Sequence, residues 1–251
     1  MDQPLVSIIM PAYNAEKFID KAIESVQKQD YLNWELLICD DCSVDNTKCI
    51  IKEFQDRDKR VKLFTLEENS GAAIARNTVI KEAKGEFISF LDSDDLWKPQ
   101  KLSKQIEFMI SNKYDFTCTY YDKIDHADKD MNNLIMYKEV SGVKDLLKNC
   151  PGNSTVIYNQ KKLGKFYISN LKKRNDYLMW FNVLSKANFI YCLKENLSSH
   201  RVVESGLSNN KRTLVKYHWI IYRNELNLNI FTSSYYCIYW IGKGIKRKII
   251  K

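Results

Sequence analysis

The sequence predicts an α/β fold: a mostly parallel sheet flanked by helices, followed by a C-terminal helical tail. Three observations carry this expectation. Short apolar runs alternate with stretches of helical period through the first hundred residues, as expected of repeated strand–helix–strand units. Polar and acidic clusters close three of those runs. Hydrophobic content of 45% and charged content of 28% are ordinary for a globular chain that buries one large core.

Val6 to Met10 is a buried-strand run closed by Pro11. Ala15, Phe18, Ile19, Ala22, Ile23 and Val26 then recur at three- and four-residue steps, which predicts a helix with one apolar face. Trp34 to Cys39 is the next strand, ending in Asp40-Asp41. Asp45 is placed to cap a helix that turns Ile50, Ile51 and Phe54 inward. Val61 to Thr65 is a third strand. Gly71 to Lys84 reads as a helix stopped by Gly85, and Phe87 to Leu91 as a strand running into Asp92-Ser93-Asp94-Asp95. Pro99 then opens a helix at its favoured first position. The second half is less regular, with strands expected near 116–121 and 155–158 and a helix from Asp176 to about Ala187.

The net charge of +8 is not spread evenly. Nine Lys or Arg fall between Lys211 and Lys251 against Glu225 alone, so the body is neutral and the tail carries the excess. A neutral body offers no basic track for nucleic acid. Seven scattered cysteines suit a reducing compartment better than a disulfide framework. Cys39 and Cys42 have the spacing of a zinc or redox pair, but no second pair or histidines follow at metal-site spacing. The N-terminus has no basic region followed by an apolar run, hence no expected signal peptide. Leu226 to Gly242 lacks charge but holds too many polar residues to cross a bilayer convincingly. The expectation is a cytoplasmic protein, with peripheral contact at the inner face of the cell membrane left open.

In a parallel sheet, ligands bind beyond the carboxyl ends of the strands. Ala12-Tyr13-Asn14, Asp40-Asp41 and Asp92 to Asp95 all follow strand ends and should converge on one crevice. Three carboxylates in four residues repel one another unless a hard cation or a donor-rich ligand sits among them. Asp92 and Asp94, two apart on an extended segment, are expected to face the same side. Mg²⁺ or Mn²⁺ bridging to a diphosphate is the natural occupant; a solvated turn capping a helix is the plain alternative. No Gly-x-Gly-x-x-Gly follows the first strand and no Gly-x-x-x-x-Gly-Lys-Ser/Thr occurs anywhere, which argues against dinucleotide and P-loop sites.

Four motifs stand in order: Val6 to Asn14 (VSIIMPAYN), Glu35 to Thr47 (ELLICDDCSVDNT), Asn69 to Asn77 (NSGAAIARN) and Phe90 to Trp97 (FLDSDDLW). Together they resemble glycosyltransferase family 2, which has the GT-A fold. The likeness is strongest over the first hundred residues and continues more weakly to about Ser208. It is nearest to transferases of bacterial surface polysaccharides, those of teichuronic acid, capsule and O-antigen.

The resemblance implies roles residue by residue. Pro11, Ala12, Tyr13 and Asn14 would line the nucleotide pocket, with Tyr13 near the base and ribose. Asp40 would accept the N3–H of uracil, a donor that cytosine lacks, which favours a UDP-sugar. Arg76 would position the nucleotide or orient the acids beside it. Asp92, beside Ser93 in the same donor-binding motif, would meet the ribose or a metal-bound water, and Asp94 would ligate the Mn²⁺ or Mg²⁺. The family's acceptor base matches Asp176 in Arg174-Asn175-Asp176-Tyr177, where Asn175 replaces the usual acid. Trp180 would flank the acceptor or belong to the core. Arg201 would contact the diphosphate, while Val203 stands where relatives often carry a histidine near the metal, so no histidine ligand is assigned.

Through the tail, Trp219, Tyr222, Phe231, Tyr235, Tyr236, Tyr239 and Trp240 mix with cations. Such a mixture suits a water–lipid interface and an anionic membrane surface, or a helix packed on the domain. The expected organisation is a GT-A domain over 1–208 and a basic, aromatic helical tail over 209–251. The expected activity is inverting transfer from a UDP-sugar to a hydroxyl of a glycan or polyprenyl-linked acceptor. A dTDP-sugar transferase and a catalytically inactive sugar-nucleotide-binding scaffold are the alternatives.

Overall fold

A computed structural model describes residues 3–169, 171, 174–202 and 211–249. Strand β1 (Val6–Ala12) lies between β2 (Trp34–Asp40) and β4 (Phe87–Phe90), and β3 (Val61–Thr65) pairs with β2; all three pairings are parallel. Helices α1 (Ile19–Gln27), α2 (Thr47–Arg57) and α3 (Ala72–Glu82) make the crossovers. The expected parallel half is therefore present, element for element.

Beyond β4 the sheet changes character. Its order is β3-β2-β1-β4-β8-β6-β9-β5, with β7 beside β9. Here β5 is Leu96–Trp97, β6 Phe116–Ile124, β7 Val140–Ser141, β8 Ile157–Asn159 and β9 Ile190–Arg201. Strand β8 runs antiparallel to both β4 and β6, while β6 and β9 are parallel. The twelve-residue β9 is absent from the sequence reading, because Lys194, Glu195 and Asn196 interrupt its apolar alternation. Helix α4 (Lys101–Asn112) begins two residues after Pro99, so that proline precedes the helix rather than opening it. Helices α5 (Val143–Leu146) and α6 (Gln160–Leu163) are single turns, and α7 spans Asn175–Ala187.

Side chains alternate across a strand, and β1 divides the core accordingly. Val6, Ile8 and Met10 join Ile19, Ile23, Leu102 and Ile106 on one face. Ile9 joins Leu37, Val79, Phe90 and Trp180 on the other. Both faces are covered, as a parallel sheet requires.

The tail forms α8 (Lys211–Ile220), a short π turn at Ile221–Glu225, and α9 (Ile230–Ile249). It packs on the domain. Tyr222 donates to Leu147 O at 3.0 Å, Trp240 Nε1 donates to the same carbonyl at 2.9 Å, and Lys243 Nζ reaches Asn149 Oδ1 at 2.8 Å. Ile221, Tyr222, Tyr236 and Cys237 share the core of α7 and β4. The expected boundary at 208/209 and Val203 lie outside the described residues.

Candidate active site

Parallel register brings the strand-end clusters to one edge. Ala12 sits opposite Asp40, and Asp41 N–H donates to Ala12 O at 2.8 Å. On the other flank Ile9 pairs with Phe90, and Leu91 N–H donates to Ile9 O at 3.1 Å, so Asp92 emerges on the same side. A cavity of about 580 Å³ lined by Leu5, Lys84 and Gly85 sits at the opposite, amino edge, away from these acids.

The nucleotide side is built by β1 and β2. Pro11 and Ala12 are buried in the strand, and Tyr13 is half-exposed just beyond it. Asn14 adopts φ 47° and clasps the neighbouring loop: its N–H donates to Ser43 Oγ at 3.0 Å, and its Oδ1 accepts from Val44 N–H at 3.0 Å. Its side-chain oxygen is thus committed to the scaffold. Asp40 accepts Ser43 N–H on Oδ2 at 3.2 Å, while its buried Oδ1 has no partner among the described residues. A buried acceptor left unpaired costs about 1–3 kcal/mol, which fits a ligand N–H. Sequence reading gave Asp41 no task. It accepts Ser70 N–H at 2.7 Å and Gly71 N–H at 2.8 Å, beside Gly71 at φ 90°. That bond pair anchors the start of α3 to the end of β2.

Helix α3 in turn delivers Arg76, whose Nη2 pairs with Asp92 Oδ1 at 2.5 Å. The acidic segment is a turn, closed by Asp95 N–H to Asp92 O at 3.0 Å. The expectation that an extended segment aligns Asp92 with Asp94 is therefore replaced by a tight turn, with Ser93 at its bend. The turn sorts its three carboxylates. Asp92 is held by Arg76 and by Asn153 Nδ2 at 2.8 Å. Asp95 is buried and accepts Ser154 Oγ–H at 2.6 Å and Arg201 N–H at 3.0 Å. The carboxylate of Asp94 takes no hydrogen bond or ion pair from another side chain among the described residues. Burial, then the charges of Asp95 and Asp92, push its carboxyl up to about 7.

Arg201 braces this turn from behind. Its guanidinium donates from Nε to Asp94 O at 2.9 Å and from Nη1 to Asp125 O at 2.7 Å, and Nη2 pairs with Asp128 Oδ1 at 2.5 Å. With 0% of its side chain exposed and its nitrogens taken by protein partners, Arg201 is a brace here rather than the expected open diphosphate contact. His200 stacks on Tyr121 at 3.8 Å and lies 3.6 Å from Asp95 Oδ2, with burial lowering its pKa to about 4. Asn153, Ser154 and His200 were not found by sequence reading, and Asp95 was read only as one of the three clustered acids. They meet across about a hundred residues of chain, and no local spacing signals such a meeting.

Helix α7 carries Asp176, the expected acceptor base. Lys186, near its end, bonds Leu163 O at 2.9 Å, just after β8, whose Asn159 pairs with the start of β4. Trp180, two turns earlier, meets Phe90 at the end of β4, edge to face at 5.2 Å. The helix therefore runs opposite to β4 and puts Asp176, half-buried in its first turn, at the carboxyl edge. Trp180 itself is 0% exposed and belongs to the core, the second of the two places expected for it. Burial and then the Asp176 charge push the Cys150 thiol up, which ties Asp176 to the 150–155 segment that holds Asp92.

Oxygen donors crowded at one turn fit a hard divalent cation. Among the described residues no three His, Cys, Asp or Glu side chains enclose a metal by themselves. Ligand oxygens would have to complete the shell.

Mixed α/β architecture with an acidic turn at the carboxyl edge of the parallel half-sheet is that of the GT-A class of transferase fold. The chain belongs to glycosyl transferase family 2, whose family model matches residues 7–171. It is 42% identical over 98% of its length, and 96% of the relative's, to an Escherichia coli UDP-Glc:alpha-D-GlcNAc-diphosphoundecaprenol beta-1,3-glucosyltransferase, WfgD. It is 35% identical, over 98% of both chains, to a Bacillus subtilis glycosyltransferase, TuaG, named for teichuronic acid biosynthesis. In fold it is similar to the 1-349 fragment of S. aureus TarS in complex with UDP-GlcNAc. There the TM-score is 0.73 at 23% identity, covering 91% of this chain and 68% of that fragment.

Proposed function

We propose that this enzyme transfers a sugar, with inversion, from a UDP-sugar to a hydroxyl of a glycan or polyprenyl-linked acceptor in bacterial surface polysaccharide synthesis. The observation that carries the reading is the sorted acidic turn. Two of its carboxylates are satisfied by the protein, and Asp94 is left crowded and available. Support for the donor comes from the unpaired Oδ1 of Asp40, suited to the N3–H of uracil, and from the E. coli relative named for UDP-glucose. That relative's name also specifies a β product, which inversion yields from a nucleotide sugar whose own bond is α.

In the proposed reaction Asp176 accepts the proton of the acceptor hydroxyl. The hydroxyl oxygen forms its bond to the anomeric carbon on the face opposite the diphosphate. The bond from that carbon to UDP breaks, and UDP leaves with the electron pair. Mn²⁺ or Mg²⁺ held by Asp94, with Asp92 beside it, would supply neutralisation of the leaving diphosphate. Arg76 and Asn153 fix Asp92, while Ser154, His200 and the Arg201 brace fix the turn behind it.

The test is UDP release from a donor panel with Mn²⁺ and a lipid-linked acceptor mimic. Release with UDP-sugars that disappears in Asp94→Ala supports the reading. Binding without turnover would favour the inactive scaffold, and preference for dTDP-sugars would replace the donor.

A further inference from the structure

Lys101, in the first turn of α4, is 0% exposed. Lysine is almost never fully buried unless it is paired with an acid, and no carboxylate pairs with this one among the described residues. Its Nζ donates to Ser89 Oγ at 2.8 Å and lies 3.8 Å from the centre of the Trp97 ring. Burial pushes the ammonium well below the usual lysine range. Departures of this kind from the packing rules concentrate at functional sites.

What the amine holds is the turn behind the acids. Three consecutive carbonyls, two in the 3-10 turn Asn153–Thr155 and one just after it, each accept from a side chain outside the turn. Trp97 Nε1 donates to Ser154 O at 2.8 Å, Gln105 Nε2 to Thr155 O at 3.0 Å, and Ser89 Oγ to Val156 O at 3.1 Å. Lys101 touches two of these three donors. By donating to Ser89 Oγ it leaves the hydroxyl's own proton for Val156 O, and its charge rests on the face of the Trp97 ring. Gln105 lies four residues on, along the same face of α4. The turn so gripped presents Ser154 Oγ to Asp95 Oδ2 at 2.6 Å and to Asp92 N–H at 3.1 Å, and Asn153 Nδ2 to Asp92 Oδ1.

We propose that Lys101 is a positioning residue for the acidic turn. Through Ser89 and Trp97 it fixes the carbonyls of Ser154 and Val156, and with them the two satisfied carboxylates that leave Asp94 open. Its consequence for catalysis rests on the function proposed above; its hold on the turn does not.

Amide hydrogen exchange reads that hold directly. In K101M, exchange should quicken about tenfold or more at Asp92, Asp95 and Arg201, whose N–H groups bond within this network. Exchange at Ile8, Leu37 and Ile38, in the middle of the parallel half-sheet, should stay as in the wild type. An apolar side chain of similar volume in place of a buried cation should melt at or above the wild-type temperature. The kcat for Mn²⁺-dependent UDP release should nevertheless fall by up to about a hundredfold, as misplacement far from the chemistry can cause, with donor KM near the wild-type value. Ser89→Ala, a smaller change that keeps the lysine, should loosen the same three amides and lower kcat in the same direction. Wild-type exchange at those amides in both variants overturns the proposal. So does faster exchange across the whole sheet with a lowered melting temperature in K101M, or a loosened turn with wild-type kcat. A wild type without Mn²⁺-dependent UDP release would instead refute the proposed function, and the exchange arm would still decide what Lys101 holds.

Discussion

In the proposed site Asp94 would hold the divalent ion, and its protonation would then set how that binding depends on pH. Its carboxyl titrates at about 7 in the fold against an ordinary 3.8. Between those values the folded chain keeps a proton that the unfolded chain has released, so Asp94 favours folding less as pH rises through the window. A divalent ion competes with that proton, and its affinity must rise over the same range. The thermal shift produced by Mn²⁺ should be larger at pH 8 than at pH 5.5; a shift that shrinks with rising pH contradicts the assignment. For the acceptor, Asp176→Asn should lower kcat about 10²- to 10⁴-fold, the usual worth of a general base. KM for the donor should stay near the wild-type value, because Asp176 sits on the helix across the edge from Asp40. Steady-state kinetics with varied donor separates the two constants.

At the scale of elements, α7 and the 150–155 segment matter more than their sequences suggest. Trp180 locks α7 against Phe90 and Phe116 and so sets where Asp176 stands. Truncating such a ring costs about 3–5 kcal/mol. Trp180→Ala should accordingly lower the melting temperature by roughly 10 °C, measured calorimetrically, whereas an acceptor-flanking Trp would leave stability alone. The first seven elements, β1 through β4 with their three helices, were legible because each carries its own period and each ends in turn chemistry. Strand β9 was not, since a strand interrupted by Lys194, Glu195 and Asn196 lacks alternation. Its place is decided by pairing with β6.

For the whole molecule, the tail is the open question the structure closes on one side. Ile221, Tyr222, Tyr236 and Cys237 lie in the core shared with α7. At about 2 kcal/mol for each buried side chain, their removal approaches the net stability of an entire domain. A chain ending at residue 210 should therefore lose its cooperative melt, as read by near-ultraviolet circular dichroism against temperature. A sharp transition at the wild-type temperature would show the tail to be dispensable.

Sequence alone determined the parallel half-sheet, the edge on which Asp40 and Asp92 emerge, and the family to which the motifs belong. Those features are local: period, strand-end chemistry and short motifs are written within ten or fifteen residues. Tertiary structure alone decided which acid is free. That sorting needs Arg76 from one helix, Asn153 and Ser154 from a single 3-10 turn about sixty residues on, and Arg201 from β9 about a hundred residues on. Burial and hydrogen bonding are properties of what lies opposite in space. No spacing along the chain encodes them, and the turn from Asp92 to Asp95 reads as three equal carboxylates until its neighbours arrive.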